Sequence, residues 1–290
     1  MTTDIALQVQ YILDDYEPDA PGPTADSLRA FWLQFEPKSA GGIKAALREQ
    51  QETVGSPVPV LKNIGKAIAK VAAQQVADFI PLTRALWDEY GREGRVVALI
   101  PLGQMELAEP ETILPLLQDL CRTCITWEDA DRLAMDALEP VIRKAPQQWL
   151  GRIEPWLDDP NKWLRRAAII VVGRLAMQQA SYTATALQWS ERLLLDQESD
   201  VKRAVSFAIR LAARGDPALV VDFLARQVPP ENPLATWVLC DTIRSMANAL
   251  LPQFAPLLPR FQQWCAEPSL PRKDRKSIES AIKTLCGLQN

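Results

Sequence analysis

One aspartate interrupts a series of arginines that recurs at regular intervals along the middle of the chain. The series is Arg95, Asp131, Arg166 and Arg203, with separations of 36, 35 and 37 residues, and each member opens a stretch of mostly small or apolar residues. In a stack of repeats, equivalent positions lie about 8–10 Å apart, so these side chains are expected on one inner surface. Asp131 has two interpretations there: a catalytic carboxylate, or one member of a ladder of ion pairs between repeats.

An aromatic side chain accompanies this aspartate. Trp127 precedes Asp131 by four residues, which places both on the same side of a predicted helix. Thr126 and Asp129 fit the capping-box pattern, which gives Asp129 a structural role and leaves Asp131 without one. Trp127 either contacts a ligand or packs in the core between repeats, where a tryptophan buries a large area.

The chain lacks the residues of several common catalytic and metal sites. It has no histidine, which excludes Ser-His-Asp and Cys-His nucleophilic sites and leaves carboxylates, Lys, Arg, Tyr and Cys for chemistry. Cys121 and Cys124 form a C-x-x-C pair, but the surrounding sequence is helical and no second pair lies nearby. We therefore expect no metal and no cofactor.

The elements that must position these residues are predicted to be helices. Apolar residues recur at helical spacing almost throughout, and no segment alternates like a β-strand over more than a few residues. Short breaks rich in Pro, Gly, Asn or Asp separate the helices and imply antiparallel neighbours. The breaks are Pro18 to Pro23, Gly41 to Gly42, Gly55 to Pro59, Glu109 to Pro110, Asp158 to Asn161, Gly215 to Pro217 and Pro229 to Pro233.

The period in the middle thirties indicates an all-α, HEAT-like helical-repeat solenoid, in which each helix pair buries its apolar face against its neighbours. Because the period crosses the middle of the chain without a linker, we predict one solenoid domain over residues 1–290. Residues 1–75 and 229–290 are expected to form capping helices, and residues 76–228 the repeat core.

The charge distribution limits where a polyanion is expected to bind. The net charge is −4 and the pI is near 5.2, which argues against a generic binder of polyanions. Residues 1–142 carry 12 basic and 22 acidic side chains, whereas residues 143–214 carry 12 and 7. We therefore predict that any nucleic-acid face draws mainly on the middle stretch.

The sequence has no recognisable secretion signal and no apolar run long enough to span a membrane. Its five cysteines fit a reducing compartment, in which thiols behave as small core residues. We therefore expect a cytoplasmic monomer that does not contact membranes.

Three motifs, taken in their order along the chain, resemble the AlkD-type DNA alkylation-repair glycosylase family. They are TWEDAD at residues 126–131, NKWLRRAAI at residues 161–169 and KRAVSFAIR at residues 202–210. GSPVPVL at residues 55–61 is similar to a turn that leads into a helix in that family. The similarity extends over about residues 50–225, and the order and spacing of the motifs are more specific than any one of them.

The resemblance implies a C-shaped stack of antiparallel HEAT-like helix pairs whose basic concave face holds duplex DNA. It also implies an enzyme that removes positively charged N3- or N7-alkylated purines, with contacts along the DNA backbone and the base left near the stack. Asp131 matches the family's catalytic aspartate, and Trp127 matches an aromatic residue that packs on the lesion nucleotide. Such a reaction needs no histidine, because an alkylated purine is already cationic and leaves as a neutral base without a general acid.

The same resemblance assigns the DNA contacts. Arg166 matches an arginine that binds the DNA backbone, and Arg165, Lys202 and Arg203 are expected to contact phosphates beside it. The alternative for these four residues is a solvated helix face. Phe207 stands where the family has a second tryptophan.

Two other functions remain open on the sequence. The substitution at Phe207 favours a binder of damaged or branched DNA that keeps the scaffold without catalysis. The acidic pI favours a HEAT-type scaffold for protein interactions that binds no nucleic acid. The leading hypothesis is a DNA glycosylase for cationic alkylpurines.

Overall fold

The computed structural model describes residues 2–35, 51–73, 75–104 and 110–287. Within these ranges there are helices and turns but no β-strand, which confirms the predicted all-α helical-repeat fold. The chain divides into two compact units, residues 1–149 and 150–290. The single domain predicted for residues 1–290 stays a prediction.

The first unit consists of helices joined by short turns. Its helices are α1 (Thr2–Leu13), α2 (Pro21–Trp32), α3 (Val58–Ala72), α4 (Val76–Glu89), α5 (Gly91–Gln104), α6 (Pro110–Arg122), α7 (Trp127–Arg132), a π-helical segment (Leu133–Leu138) and α8 (Glu139–Lys144). α3 packs beside α5, and α5 packs beside α7 and the π-helical segment. α4 and α6 form a second row, with α4 against α5 and α6 against the π-helical segment. This double row is the arrangement expected of stacked helix pairs.

The second unit repeats the pattern. After α9 (Pro146–Ile153), in which the division falls, its helices are α10 (Lys162–Gln178), α11 (Thr183–Leu193), α12 (Ser199–Gly215), α13 (Pro217–Gln227), α14 (Thr236–Arg244), α15 (Leu251–Phe254), α16 (Leu258–Cys265) and α17 (Arg272–Cys286). Single 3-10 turns lie at residues 154–158, 180–182, 233–235 and 255–257. α10, α12, α14 and α17 lie side by side in that order, and α11 and α13 pack on α12 from the other row.

The repeat predicted from the sequence is confirmed by the helix boundaries. Arg95, Asp131, Arg166 and Arg203 are each the fifth residue of their helices, α5, α7, α10 and α12. The starts of neighbouring helices are also aligned, because Lys162 at the start of α10 pairs with Asp200 at the start of α12 at 2.7 Å. α10 and α12, which are one repeat apart, therefore run parallel with nearly equal register.

Two glycines allow helices of the inner row to approach closely. A Cβ atom at Gly173 of α10 would lie 2.8 Å from the Cα of Ala208 in α12. A Cβ atom at Gly65 of α3 would lie 2.6 Å from the Cβ of Ile100 in α5. Both distances are below ordinary van der Waals contact, so larger residues would push the helices apart.

Several predicted breaks coincide with helix starts and ends. Asn161 caps α10 by accepting a hydrogen bond from Trp163 N at 2.8 Å, and Asp216 caps α13 through Leu219 N at 3.0 Å. Residues 55–57 lead directly into α3, which begins at Val58 within the GSPVPVL segment. The breaks at Gly41–Gly42 and at Glu109 lie outside the described residues.

No helix in the described part of the chain is both long enough and apolar enough to cross a bilayer.

Candidate nucleic-acid interface

Asp131 and Trp127 lie on α7, whose start is fixed by the predicted capping box. The Thr126 hydroxyl accepts a hydrogen bond from Asp129 N at 3.3 Å, and the Asp129 carboxylate accepts one from Thr126 N at 3.0 Å. Trp127 is the first residue of the helix and Asp131 the fifth, so they share one side of it, and both side chains are partly exposed. A carboxylate and an aromatic ring are thus placed one helical turn apart.

Two buried ion pairs attach the start of α7 to α5. Arg95 Nη1 lies 2.6 Å from Asp129 Oδ2, and Arg92 Nη2 lies 2.9 Å from Glu128 Oε1. All four side chains are at most one-tenth exposed, where charges need partners to be tolerated. Glu128 and Asp129 are the carboxylates that pair with these two arginines, and the alternative role of Asp131 in a ladder of ion pairs stays a prediction.

The environment of Glu128 favours its ionised form. Burial raises the pKa of this carboxyl, but the hydrogen bond from Arg92 and the charge of Arg132 outweigh burial and hold the pKa below its ordinary value. Arg132 also donates to Glu128 Oε1 at 2.6 Å. One carboxylate thus joins α5 to the last residue of α7, and it stiffens the helix on which Asp131 lies.

A π-helical segment begins two residues after Asp131. The Glu139 N–H bonds to the Ala134 carbonyl, five residues back, instead of the four that an α-helix uses. Pro140 has no N–H to return to the carbonyl of Asp136, which removes one α-helical hydrogen bond at this place. π-helical turns are frequent at functional sites. This segment was not predicted from the sequence, although Pro140 was a signal for it.

The first unit also contains a basic groove that was not predicted from the sequence. We call it the lysine groove. It has a volume of about 830 Å³, and its basic side chains are Lys62, Lys66 and Lys70 of α3 with Arg143 and Lys144 of α8. Lys62 pairs with Asp136 at 2.7 Å, and Arg143 pairs with Glu139 at 2.9 Å. Lys66, Lys70 and Lys144 have no ion-pair partner among the described residues.

The net charge of residues 1–142 is negative and therefore gives no sign of this groove. The useful signal was the spacing of Lys62, Lys66 and Lys70, four residues apart on one face of a helix. The groove also lies beside α8, which continues the helix of Asp131 through the π-helical segment. The expectation that basic surface would come mainly from the middle stretch is therefore incomplete.

In the second unit, the two adjacent arginines of α10 are engaged by the protein itself. Arg165 forms a two-point ion pair with Asp196, with distances of 2.7 and 3.3 Å, and donates to the Asp159 carbonyl at 2.8 Å. Arg166 is only 5% exposed, and its guanidinium donates to the main-chain carbonyl of Asp200 at the start of α12. Both arginines hold α10 to its surroundings, so contact with a phosphate would require them to rearrange or share these bonds.

The predicted contacts on α12 are more accessible. Arg203 is exposed and Lys202 is partly exposed. Neither side chain has a hydrogen-bond or ion-pair partner in the part of the chain that the structure describes. Phe207 is partly exposed one turn further along, and the guanidinium of Arg210 lies 5.7 Å from the centre of its ring. Arg210 in turn contacts Asp241 at 3.3 Å.

The predicted site residues thus form two sets. Trp127 and Asp131 lie together on one helix of the first unit. Those of the second unit, on α10 and α12, are Arg165, Arg166, Lys202, Arg203 and Phe207. Each set has a consistent local geometry, and the catalytic and DNA-binding roles of all seven residues stay predictions.

The described residues contain no group of three or more His, Cys, Asp or Glu side chains arranged to hold a metal ion. Cys121 and Cys124 are buried free thiols. Burial raises the pKa of Cys124 well above its ordinary value, and the neighbouring Cys121 adds to the effect. This pair fits the packing role of buried cysteines, because thiolate chemistry needs a lowered pKa.

Comparison with known proteins identifies the family. A family model described as DNA alkylation repair enzyme matches residues 29–265, a range that includes Trp127, Asp131, Arg166 and Phe207. No curated protein matches the chain. A solved structure of an engineered protein from the Northeast Structural Genomics Consortium is 12% identical, with 84% of this chain and 100% of that chain covered and a TM-score of 0.34. The family match extends over most of the 290 residues, and the chain therefore belongs to the DNA alkylation repair enzyme family.

Proposed function

We propose that this protein is a DNA glycosylase that excises positively charged N3- or N7-alkylpurines from duplex DNA. The observation that carries the proposal is the placement of Asp131 and Trp127 one turn apart on α7. The start of that helix is fixed by the ion pairs of Glu128 and Asp129. A rigid support of this kind is what a catalytic carboxylate requires, because a misplaced charge stabilises a transition state poorly.

The reaction requires only a carboxylate and water. As the N-glycosidic bond breaks, its electron pair goes to the cationic purine, which leaves as a neutral base, and positive charge develops on the sugar. The Asp131 carboxylate stabilises this charge and orients a water molecule toward C1′. The water oxygen bonds to C1′, a proton is released, and a hydroxyl group replaces the base. Trp127 offers its ring face to the cationic nucleotide.

Duplex DNA is proposed to contact basic side chains of both units. The amines of Lys66, Lys70 and Lys144 in the lysine groove form no ion pair with any described residue, and Arg203 is exposed on α12. Contacts of this type neutralise phosphates and bind duplexes with little regard to sequence. Lys202, Arg165 and Arg166 are proposed as further contacts, with Arg166 limited by its burial and its hydrogen bond to Asp200.

The experiment that tests the proposal measures base release together with binding. The full-length protein is incubated with duplex DNA treated with a methylating agent, and free N3-methyladenine and N7-methylguanine are quantified by mass spectrometry. Affinity for the same duplex is measured in parallel by fluorescence anisotropy. Release that disappears in an Asp131→Asn variant supports a glycosylase, whereas binding without release overturns the catalytic proposal.

Phe207 favours a second candidate function, a binder of alkylated or branched DNA without catalysis. Its ring offers less aromatic area than the tryptophan that the resemblance places there, and the Arg210 guanidinium already lies near its face. This candidate predicts tight binding to duplex DNA and no base release in the assay above.

A further inference from the structure

A second basic groove lies within the second unit, on the side of α12 that carries Lys202. We call it the tryptophan groove. It has a volume of about 770 Å³, and its lining includes Lys202, Leu234, Trp237, Arg244, Lys273 and Lys276. Lys202 lies in the first turn of α12, Arg244 is the last residue of α14, and Lys273 and Lys276 lie in the first two turns of α17. Three helices thus bring four cations to one cavity.

Carboxylates of the described residues leave most of this positive charge without an ion pair. Asp274 is the carboxylate that lines the groove beside the four cations, and Arg244 pairs with Asp241 at 3.2 Å. Lys202, Lys273 and Lys276 have no ion-pair partner among the residues described. Like charges gathered at one place repel each other, and an anionic ligand would relieve that repulsion.

An aromatic ring lies among these cations. Trp237 is partly exposed and lines the groove, and its indole N–H makes no hydrogen bond within the described ranges. Leu234, beside it, is 42% exposed. Cationic side chains around an accessible tryptophan are the combination by which proteins bind single-stranded nucleic acids: the bases stack on the ring and the phosphates contact the cations.

The groove is partly built from residues outside the matched family region. The family model ends at residue 265, whereas Lys273 and Lys276 belong to α17, Arg272–Cys286. α17 packs along α14, which carries Trp237 and Arg244, and this contact completes the groove. The cations of α17 are therefore a feature of this chain beyond the matched part of the family.

From these observations we infer that the tryptophan groove binds the nucleoside phosphates of single-stranded DNA, with one base stacked on Trp237 and the flanking phosphates on Lys202, Lys273 and Lys276. A duplex fits less well, because its bases are already stacked on each other and present only their edges to a side chain in a groove. A single strand next to a lesion or a gap offers both free bases and phosphates. The inference does not rest on the proposed glycosylase activity.

The test measures the affinity of the full-length protein for three probes by fluorescence anisotropy or competition. The probes are a labelled 12-nucleotide single strand, a blunt 12-base-pair duplex without lesions, and adenosine monophosphate as competitor. The single strand is expected to bind, and Trp237→Ala is expected to weaken that binding about five-fold or more while duplex binding is unchanged. Trp237→Phe, which keeps a stacking surface, is expected to recover most of the affinity.

The lysines provide a second, independent readout. Each phosphate contact contributes about 0.7 to the slope of log affinity against log salt concentration for a single strand, so Lys273→Gln with Lys276→Gln should lower the slope by about 1.4. Lys283→Gln is the matched control, because Lys283 lies on the same helix, is exposed and does not line the groove. Circular dichroism melting checks that every variant is folded.

Three results would overturn the inference. In the first, the variants of Trp237 and of the α17 lysines bind the single strand as wild type does. In the second, they weaken single strand and duplex equally, which would make the groove part of a duplex-binding face. In the third, adenosine monophosphate binds as tightly as the 12-nucleotide strand, which would identify a site for free nucleotides. None of these results depends on base excision, so they are separate from a failure of the proposed function.

Discussion

Arg95 Nη1 and Asp129 Oδ2 lie 2.6 Å apart in an ion pair whose two side chains are less than one-tenth exposed. Asp129 also accepts the N–H groups of Ile125 and Thr126, each at 3.0 Å, so one carboxylate closes the start of α7 and joins it to α5. Asp131 lies two residues further along the same helix. Asp129 therefore has a structural role, and removing its partner Arg95 should lower the free energy of unfolding.

Replacing Arg95 by alanine tests this role. The change leaves the Asp129 charge buried without its guanidinium, and such a loss typically costs about 3–5 kcal/mol. We expect the free energy of unfolding, measured by urea denaturation, to fall by about that amount. Arg203→Ala, at the equivalent position of α12, is the matched control, and its exposed side chain should matter by less than about 0.5 kcal/mol. Equal stability of the two variants would contradict the prediction.

Glu128 makes stability depend on pH in a defined direction. Burial raises the pKa of this carboxyl, but Arg92 and Arg132 lower it further than burial raises it, so the folded-state pKa lies below the unfolded value. Its contribution to stability is therefore fully present above the unfolded pKa of about 4.3, and it is lost as the pH falls through the folded-state pKa.

The measurement compares the melting temperatures of wild type and Glu128→Gln at pH 7 and near pH 3. At pH 7 the variant should melt at a lower temperature, because the glutamine cannot neutralise Arg92. The difference should shrink as the pH falls through the folded-state pKa, because wild type then loses the same charge. A difference that is constant across this range would show that Glu128 is not the group responsible.

Asp131→Asn separates catalysis from binding. The substitution removes a charge that only the cationic transition state requires, so single-turnover excision from methylated duplex DNA should fall by about 100-fold or more. Affinity for the duplex should stay the same or rise slightly, because a negative charge near the phosphates is removed. Excision at the wild-type rate would place Asp131 among the structural carboxylates of the repeat.

Lys66→Gln and Lys70→Gln test the lysine groove. If each amine contacts one phosphate of a duplex, each substitution should lower the slope of log affinity against log salt concentration by about 0.9 and weaken binding to all duplexes alike. Lys283→Gln, on the exposed surface of α17, should leave the slope unchanged. An unchanged slope in the groove variants would exclude the lysine groove from the duplex-binding surface.

The helices that carry the candidate site residues were predicted well from the sequence, because periodic spacing is a local property of the chain. The repeat through Arg95, Asp131 and Arg166 correctly located three helices. Each of these residues is the fifth residue of its helix. The pattern of Thr126 and Asp129 also predicted the capping box that the structure contains. Both predictions rested on spacings of a few residues or of one repeat, for which backbone geometry leaves few alternatives.

The environments of equivalent positions could not be predicted in the same way. Arg95 and Arg166 are buried whereas Arg203 is exposed, because burial depends on which residues of the neighbouring helix face each arginine. Arg95 faces the Asp129 carboxylate, whereas Arg166 faces the main-chain carbonyl of Asp200. The lysine groove was not predicted for the same reason. The lysines of α3 and the cations of α8 are far apart in the sequence, and they come together only because α3 packs near the end of α8.

Phe207 provides the last test, at the position where the resemblance places a tryptophan. The Phe207 ring is partly exposed on α12, with the Arg210 guanidinium 5.7 Å from its centre. A tryptophan face attracts a cation more strongly than a phenylalanine face does, by an amount on the order of 0.5–1 kcal/mol. If the cationic nucleotide contacts this ring, Phe207→Trp should raise single-turnover excision several-fold, since about 1 kcal/mol corresponds to about a five-fold change in rate. Phe207→Leu, which removes the ring but keeps an apolar side chain, should lower it.

Affinity for an unmodified duplex should barely change in either variant, because Phe207 carries no charge that a phosphate would contact. Measuring both excision and DNA binding for the Phe207 variants therefore distinguishes the two proposed functions. A glycosylase slowed by its phenylalanine gains activity from the tryptophan, whereas a scaffold without catalysis gains none. If wild type and Phe207→Trp both bind DNA and neither releases a base, the protein is a DNA-binding member of its family in which Asp131 no longer acts as a catalyst.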